Sequence, residues 1–350
     1  MANYTVCLDN TTNVVTPSGY IMVSDLSVGD VIFDKQGIKR TVLGIESFGK
    51  VKAEHFLLSD RNIVVLPENN TFLITIGTAK SNRHKKIMSV GEIKDRVSNY
   101  KTTRSGRVIR DIIIELCDPI EFGSSELCLE PYALGAIIGD GSISGKNMTF
   151  TNCEADVIQK LQDNLPNGCE LRTSDGVRYY ITDSNIIDGK RAIRLFFENN
   201  GLFGNKSTTK FIPPEYIISS IEQRTQLLTG LIDTDGEVSR GSYVYSTTSE
   251  TLAYNVQFIV QSLGGKCTVQ KYTRKDSKYS DFFILNIKMK RYMMIHSSAK
   301  HTKEYHESRY STSRHIFEYL GVDTVECTKI TTDSNSVLLD NFIALEVYNE

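Results

Sequence analysis

Leu228–Gly236 reads LTGLIDTDG, and 95 residues upstream Ala133–Gly141 reads ALGAIIGDG. Both are apolar stretches that run into Asp-Gly, with small residues four apart along one side, Gly135 and Gly139 in one and Gly230 and Thr234 in the other. Small residues at that spacing let two helix backbones approach closely. Asp140 and Asp235 then stand at helix C-terminal ends, where the macrodipole disfavours an anion by about 0.3–1 kcal/mol. Side by side they also repel one another. Both penalties vanish when a divalent cation sits between them, and hard carboxylate oxygens suit Mg²⁺. One Asp-Gly alone would serve as a plain turn at a helix end, but two in matched places ask for more.

The surroundings repeat as well. After the first Asp-Gly the chain reads as a strand at Asn147–Thr151, an amphipathic helix at Glu154–Leu165 and a strand at Arg178–Thr182. After the second it reads as a strand at Ser242–Ser246, a helix at Glu250–Leu263 and strands at Lys266–Tyr272 and Phe282–Met289. Two copies of one unit inside one chain mimic a twofold dimer. Within Phe282–Lys290, Phe283, Leu285, Ile287 and Met289 alternate with Asn286, Lys288 and Lys290, which predicts one core face and one polar, cationic face. A β-ribbon in a DNA major groove needs such a face, with cations for phosphates and amides for base edges.

The two stretches resemble the paired motifs of LAGLIDADG homing endonucleases, the second departing from the signature only at Thr229 and Thr234. The resemblance covers about Pro131–Ile316. It implies an α+β unit, αββαββα, used twice, with saddle-shaped sheets over double-stranded DNA. It further implies a long asymmetric target site and a monomer, because the two repeats supply both half-sites. Asp140 and Asp235 would bind Mg²⁺ and activate the attacking water, and Gly139 and Thr234 would lend backbone carbonyls. A lysine is expected near each metal: Lys278 is the candidate for one half, and Lys206 competes with Lys190 for the other.

The chain has 350 residues and is close to neutral, 40 basic against 42 acidic for a net charge of −2, so any affinity for nucleic acid must be local. Lys80–Arg110 supplies it, with ten basic residues against two acidic ones, interrupted by Tyr100 and Ser/Thr rather than by an apolar period. This points to an accessory DNA-binding region over 79–130, with Lys85, Lys86, Arg104 and Arg107 as contacts. No apolar run approaches the roughly 18 residues of a membrane span, and Met1–Val6 lacks a signal-peptide pattern. No membrane partner is expected, and the expected location is intracellular. Seven scattered cysteines without a C-x-x-C pair read as reduced thiols, Cys7 set aside.

Both ends of the chain read as short strands. Turn residues separate Asn13–Thr16, Tyr20–Val23, Val31–Asp34, Thr41–Ile45, His55–Leu58 and Ile63–Leu66, and the tail adds Thr328–Thr331, Ser336–Leu339 and Phe342–Val347. Cys7–Phe33 resembles the opening block of inteins and Ile330–Val347 their closing blocks. This implies an all-β Hint-type domain formed by both ends, with the endonuclease inserted between them and Cys7 in the place of the splicing nucleophile. The splicing set is incomplete. Asn69 or Asn70 stands where a histidine is expected, and the closing His-Asn falls on Glu346-Val347 or, with two extra residues, on Tyr348-Asn349 ahead of Glu350. Acid-base help and an acceptor nucleophile are both missing. The expected organisation is a multi-domain chain: 1–78 and 318–350 Hint-like, 79–130 accessory, and 131–317 endonuclease with repeats 131–210 and 211–317. Site-specific DNA cleavage is the expected activity, and partial splicing or N-terminal cleavage through Cys7 is the alternative.

Overall fold

The computed structural model describes residues 3–78, 80–145, 147–239, 241–274, 280–290, 292–304 and 313–348. The chain divides into two compact units, residues 121–311 and a second unit assembled from 1–120 with 312–350.

In the unit 121–311 the first motif helix, Pro131–Asp140, opens on proline, whose missing N–H costs nothing in a first turn, and buries Pro131 through Ile138. The second, Ile221–Asp235, is started by a Ser220/Gln223 capping box. A Cβ placed on Gly135 would lie 2.2 Å from the Leu227 carbonyl oxygen, and one on Gly230 would lie 2.3 Å from that of Tyr132. The two helix backbones are therefore in contact, and no side chain fits between them.

Each motif helix feeds a four-stranded antiparallel sheet. The first runs in the order Gly141–Ser142, Thr149–Thr151, Arg178–Asp183, Cys169–Thr173; the second runs Gly236–Ser239, Ser242–Thr247, Phe282–Lys288, Lys266–Tyr272. A helix joins the second strand of each sheet to the third in sequence, Ala155–Asn164 in one copy and Glu250–Ser262 in the other. A last helix follows each, Ala192–Asn199 and Ala299–Glu304. The element order is thus αββαββα twice. Phe283, Leu285, Ile287 and Met289 point into the core, leaving Asn286 exposed and Lys288 and Lys290 half-exposed.

The other unit is mainly β. Its eight-stranded sheet is built around two long antiparallel partners, Lys39–Leu58 and Arg314–Thr332, of 20 and 19 residues. The expected separate strands Thr41–Ile45 and His55–Leu58 are one element, and Thr328–Thr331 is the end of the other. Between the predicted pieces residues 46–50 have no buried side chain, so no period-2 burial marks that part in the sequence. Tyr4–Asp9 pairs with the far end of the tail strand, with Cys7 opposite Lys329. The tail continues into the N-terminal half through bridges Val14 to Leu339, Phe72 to Val347 and Leu116 to Ile343.

The basic stretch departs from its expected form. His84–Ser89 is a strand paired with Thr71–Ile76, followed by a helix, Val90–Ser98, begun by a Ser89/Glu92 capping box. Val90, Ile93 and Val97 are buried at helical spacing, so an apolar period does run through this segment, diluted by its charges. Residues 79–120 belong to the end-built unit and 121–130 to the other. Among the described residues no helix is long and apolar enough to cross a membrane.

Candidate active site

Helix contact brings the two Asp-Gly ends together. A Cβ on Gly139 would meet Thr234 Oγ1 at 2.1 Å and come within 3.7 Å of Asp235 Oδ2, so the second carboxylate lies over the end of the first helix. Asp140 is half-buried, and its Oδ2 accepts a hydrogen bond from Asn152 Nδ2 at 2.6 Å. Asp235 reaches solvent through a cleft of about 290 Å³ lined by Gly139, Lys210, Tyr245, Arg274 and Phe282. Desolvation by crowding atoms, and then the charge of Asp140, push the Asp235 carboxyl up to about 6 from an ordinary 3.8, with Lys210 pulling the other way. Desolvation also raises Asp140, against the Asn152 hydrogen bond and the charges of Lys210 and Lys300. Among the described residues neither aspartate forms an ion pair.

Lys210 is the residue that sequence reasoning missed. Its Nζ donates to the carbonyls of Ile138, Gly139 and Gly141, the last two at 3.0 Å, capping the C-terminal end of the first motif helix. Burial lowers its pKa while Asp235 and Asp140 hold it up. Lys206 sits four residues away in an exposed turn whose carbonyl accepts from Thr209 N–H, and Lys190 is ion-paired with Glu198 at 2.6 Å. Lys278 lies outside the described residues. The turn at 206–209 decides which lysine faces inward, and nothing in the spacing separates Lys206 from Lys210. Lys300 is a second lysine with no motif to mark it, and its charge lowers the Asp140 carboxyl.

The donor set fits a hard cation. Two carboxylates converge, and among the described residues no three acidic, histidine or cysteine groups do. Mg²⁺ characteristically binds one or two carboxylates and completes its shell with water and substrate phosphates. The Gly139 carbonyl, expected to help, already accepts from Lys210. Thr234 keeps its hydroxyl within its own helix, donating to the Gly230 carbonyl at 2.8 Å.

Residues 222–312 match the family model of the LAGLIDADG-like domain. The second repeat is a LAGLIDADG-like domain. The first repeat lies upstream of that match and shares its element order. Across 349 residues the chain is 25% identical to the replicative DNA helicase DnaB of Mycobacterium intracellulare, covering 93% of this chain and 55% of that protein. The chain thus spans about half the length of the curated relative it matches. Among solved structures, mesophilic variants of the homing endonuclease I-DmoI align at 17% identity and a TM-score of 0.31, over 45% of this chain and 87% of theirs. The gp41-1 intein aligns at 20% identity and a TM-score of 0.22, over 31% and 75%.

Outside the motif helices, the LAGLIDADG-like domain carries Lys288 at the end of its third sheet strand, opposite Lys266, and Lys290 two residues on. In the end-built unit Lys86, Arg104 and Arg107 are exposed, the two arginines in a turn closed by Thr103 N–H donating to the Arg107 carbonyl at 2.8 Å. Lys85 is tied to Glu346. Cys7 is buried, which raises its thiol, with Cys327 and the charge of Lys329 opposing. Asn70 rather than Asn69 faces it. Its Oδ1 accepts from Cys7 N–H at 2.9 Å, and its Nδ2 donates to the Cys7 carbonyl at 2.7 Å.

Proposed function

We propose that this chain is a site-specific endonuclease that hydrolyses one phosphodiester bond in each strand of duplex DNA, with Asp140 and Asp235 holding divalent metal, Mg²⁺ being the expected ion. The observation that carries this is the pair of carboxylates at touching helix ends, raised in pKa and left without an ion-pair partner among the described residues. A protein that needed them only for stability would have neutralised them. Bound metal would supply hydroxide near neutral pH and stabilise the leaving oxygen. The chain's own residues do the rest. Asn152 orients Asp140, Lys210 fixes the first helix end, and Lys210 and Lys300 place positive charge where a scissile phosphate would gather negative charge. Asn286, Lys288 and Lys290 face outward from the second sheet toward bases and phosphates, and Lys86, Arg104 and Arg107 add phosphate contacts. With both repeats in one chain, the enzyme acts as a monomer on an asymmetric site inside the cell. The test is to incubate the intact chain with a deep randomised duplex library and Mg²⁺, then sequence the ends. Discrete cut ends that disappear with EDTA are expected. A library left intact would contradict the proposal.

A second reading has one observation in its favour: Asn70 grips both the N–H and the carbonyl of Cys7, in a unit that the two chain ends build as a Hint-type domain would be built. That grip would hold the peptide bond before Cys7 in place for an N-to-S acyl shift. An amide relays no proton, however, and the thiol is raised rather than lowered. Splicing or N-terminal cleavage through Cys7 therefore ranks second. Intact-mass measurement after prolonged incubation with a thiol separates the two: a product beginning at Cys7 would restore the protein-processing role, and an unchanged mass is expected.

A further inference from the structure

The segment Ser297–Thr302 is tied to both repeats at once. Asp233, 4% exposed, accepts at Oδ1 from the N–H groups of Ser297 (2.8 Å) and Ser298 (3.0 Å), and at Oδ2 from Ser297 Oγ and the Tyr132 hydroxyl. From the first repeat, Asp156 accepts from Ala299 N–H at 2.6 Å and Lys160 Nζ donates to Ser297 Oγ at 2.8 Å. His301, 1% exposed, has its Nε2 at 2.9 Å from the Ile232 carbonyl oxygen, in the last turn of the second motif helix. That oxygen can only accept, so Nε2 carries the hydrogen.

His301 Nδ1 and Ser298 Oγ are buried with no partner among the described residues. An apolar side chain at 301 would leave no nitrogen stranded, so the bond to Ile232 is what the imidazole is there to make. The arrangement is one-sided. The place of Asp233 in the first motif helix is taken by Ile138, and that helix end is capped by Lys210 instead. Immediately before His301 stands Lys300, whose charge reaches Asp140.

We infer that Ser297–Thr302 is a clasp, fastened to the second motif helix by Asp233 and His301 and to the first repeat by Asp156, which delivers Lys300 to the Asp140 side of the carboxylate pair. His301 and Asp233 are positioning residues; for its catalytic consequence the clasp rests on the endonuclease reading above. Because Lys210 is held independently, loss of the clasp slows one strand's cut more than the other's.

Two readouts on the full chain test this, with His301→Leu, the amide-bearing His301→Gln and Lys300→Gln as variants. By hydrogen exchange, His301→Leu is expected to speed exchange across 297–302 at least tenfold while 131–140 and 221–235 stay protected, and His301→Gln to restore slow exchange. On a supercoiled plasmid carrying the target site, His301→Leu and Lys300→Gln are expected to accumulate nicked circles with the same strand uncut, and His301→Gln to cut both. Unchanged exchange at 297–302 in His301→Leu, loosening spread over the whole unit, or parent-like cutting of both strands by Lys300→Gln would overturn the clasp. A parent that cuts no duplex would sink the endonuclease reading instead, and the exchange result would still judge the clasp.

Discussion

Four ion-paired carboxylates of the end-built unit and the two aspartates at the motif helix ends are treated in opposite ways. In the end-built unit Glu54 meets Lys94 at 2.7 Å, Glu115 meets Lys35, Asp34 meets Arg40 at 2.7 Å, and the fully buried Asp60 meets Arg314. Burial works against Glu54 and Glu115, but the hydrogen bonds and charges of Lys94 and Lys35 outweigh it and hold both below the usual carboxylate range. At the motif helix ends the same burial goes unopposed by any ion pair among the described residues, and both aspartates rise. Folding alone would favour the first arrangement, because a buried charge without a partner is costly. Where the chain instead leaves two anions together at the unfavourable end of two dipoles, the proposed divalent metal would supply the opposing charge.

Four tests, each with its own control, bear on that contrast. Short of the aspartates themselves, the largest effect is expected from Lys210→Met, which removes both the charge facing the pair and the helix cap. Cleavage rate on the target should fall about 10²–10³-fold, the scale for losing one preorganised electrostatic group, measured by single-turnover kinetics. Lys94→Met, in the paired set, should leave cleavage intact and cost only stability. Next, Gly230→Ala forces a methyl group onto the Tyr132 carbonyl. It should destabilise the unit by roughly 1–3 kcal/mol or more, seen as a lower denaturant midpoint, and Gly145→Ala, whose nearest neighbour is 3.6 Å away, should not.

Acid should cost the paired set its stabilisation. Folding depresses the pKa of Glu54 and Glu115, so their stabilisation is complete above the ordinary value of 4.5 and is lost as pH falls through their folded values. Chemical unfolding followed from pH 6 downward should show the end-built unit losing stability below about pH 4.5, and Glu115→Gln should flatten that decline. Stability that instead rises as pH falls from 6 would mean that these carboxylates are not held by their lysines, because burial alone would raise them. The smallest effect belongs to the surface cations. Lys86→Ala should reduce the salt slope of DNA binding by about 1. Lys85→Ala should change it less, because Glu346 already holds that lysine.

Much of this was legible in the sequence because it rests on local spacing. The four-residue interval of small residues foretold helices in contact, the alternation in Phe282–Lys290 foretold which face is core, and the duplicated Asp-Gly foretold two carboxylates meeting. What was not legible depends on tertiary placement. Lys210 and Lys206 look alike until a turn points one of them inward. Val90, Ile93 and Val97 are a weak helical signal among ten basic residues, decided by packing against the sheet. The long strand Lys39–Leu58 has no buried side chain over residues 46–50, so it carries no burial pattern there and is specified by its partner Arg314–Thr332, hundreds of residues away.

The proposal to test is that the aspartates at the motif helix ends serve to cut DNA. Its most direct measurement compares the parent with Asp140→Asn, Asp235→Asn double substitution on the identified target, recording binding in Ca²⁺ and strand scission in Mg²⁺ side by side. Equal or tighter binding by the double variant is expected, since a repulsive pair has been removed from a surface meeting phosphates, together with no detectable scission of either strand. A double variant that binds and cuts like the parent would show that the reaction is carried elsewhere in the chain.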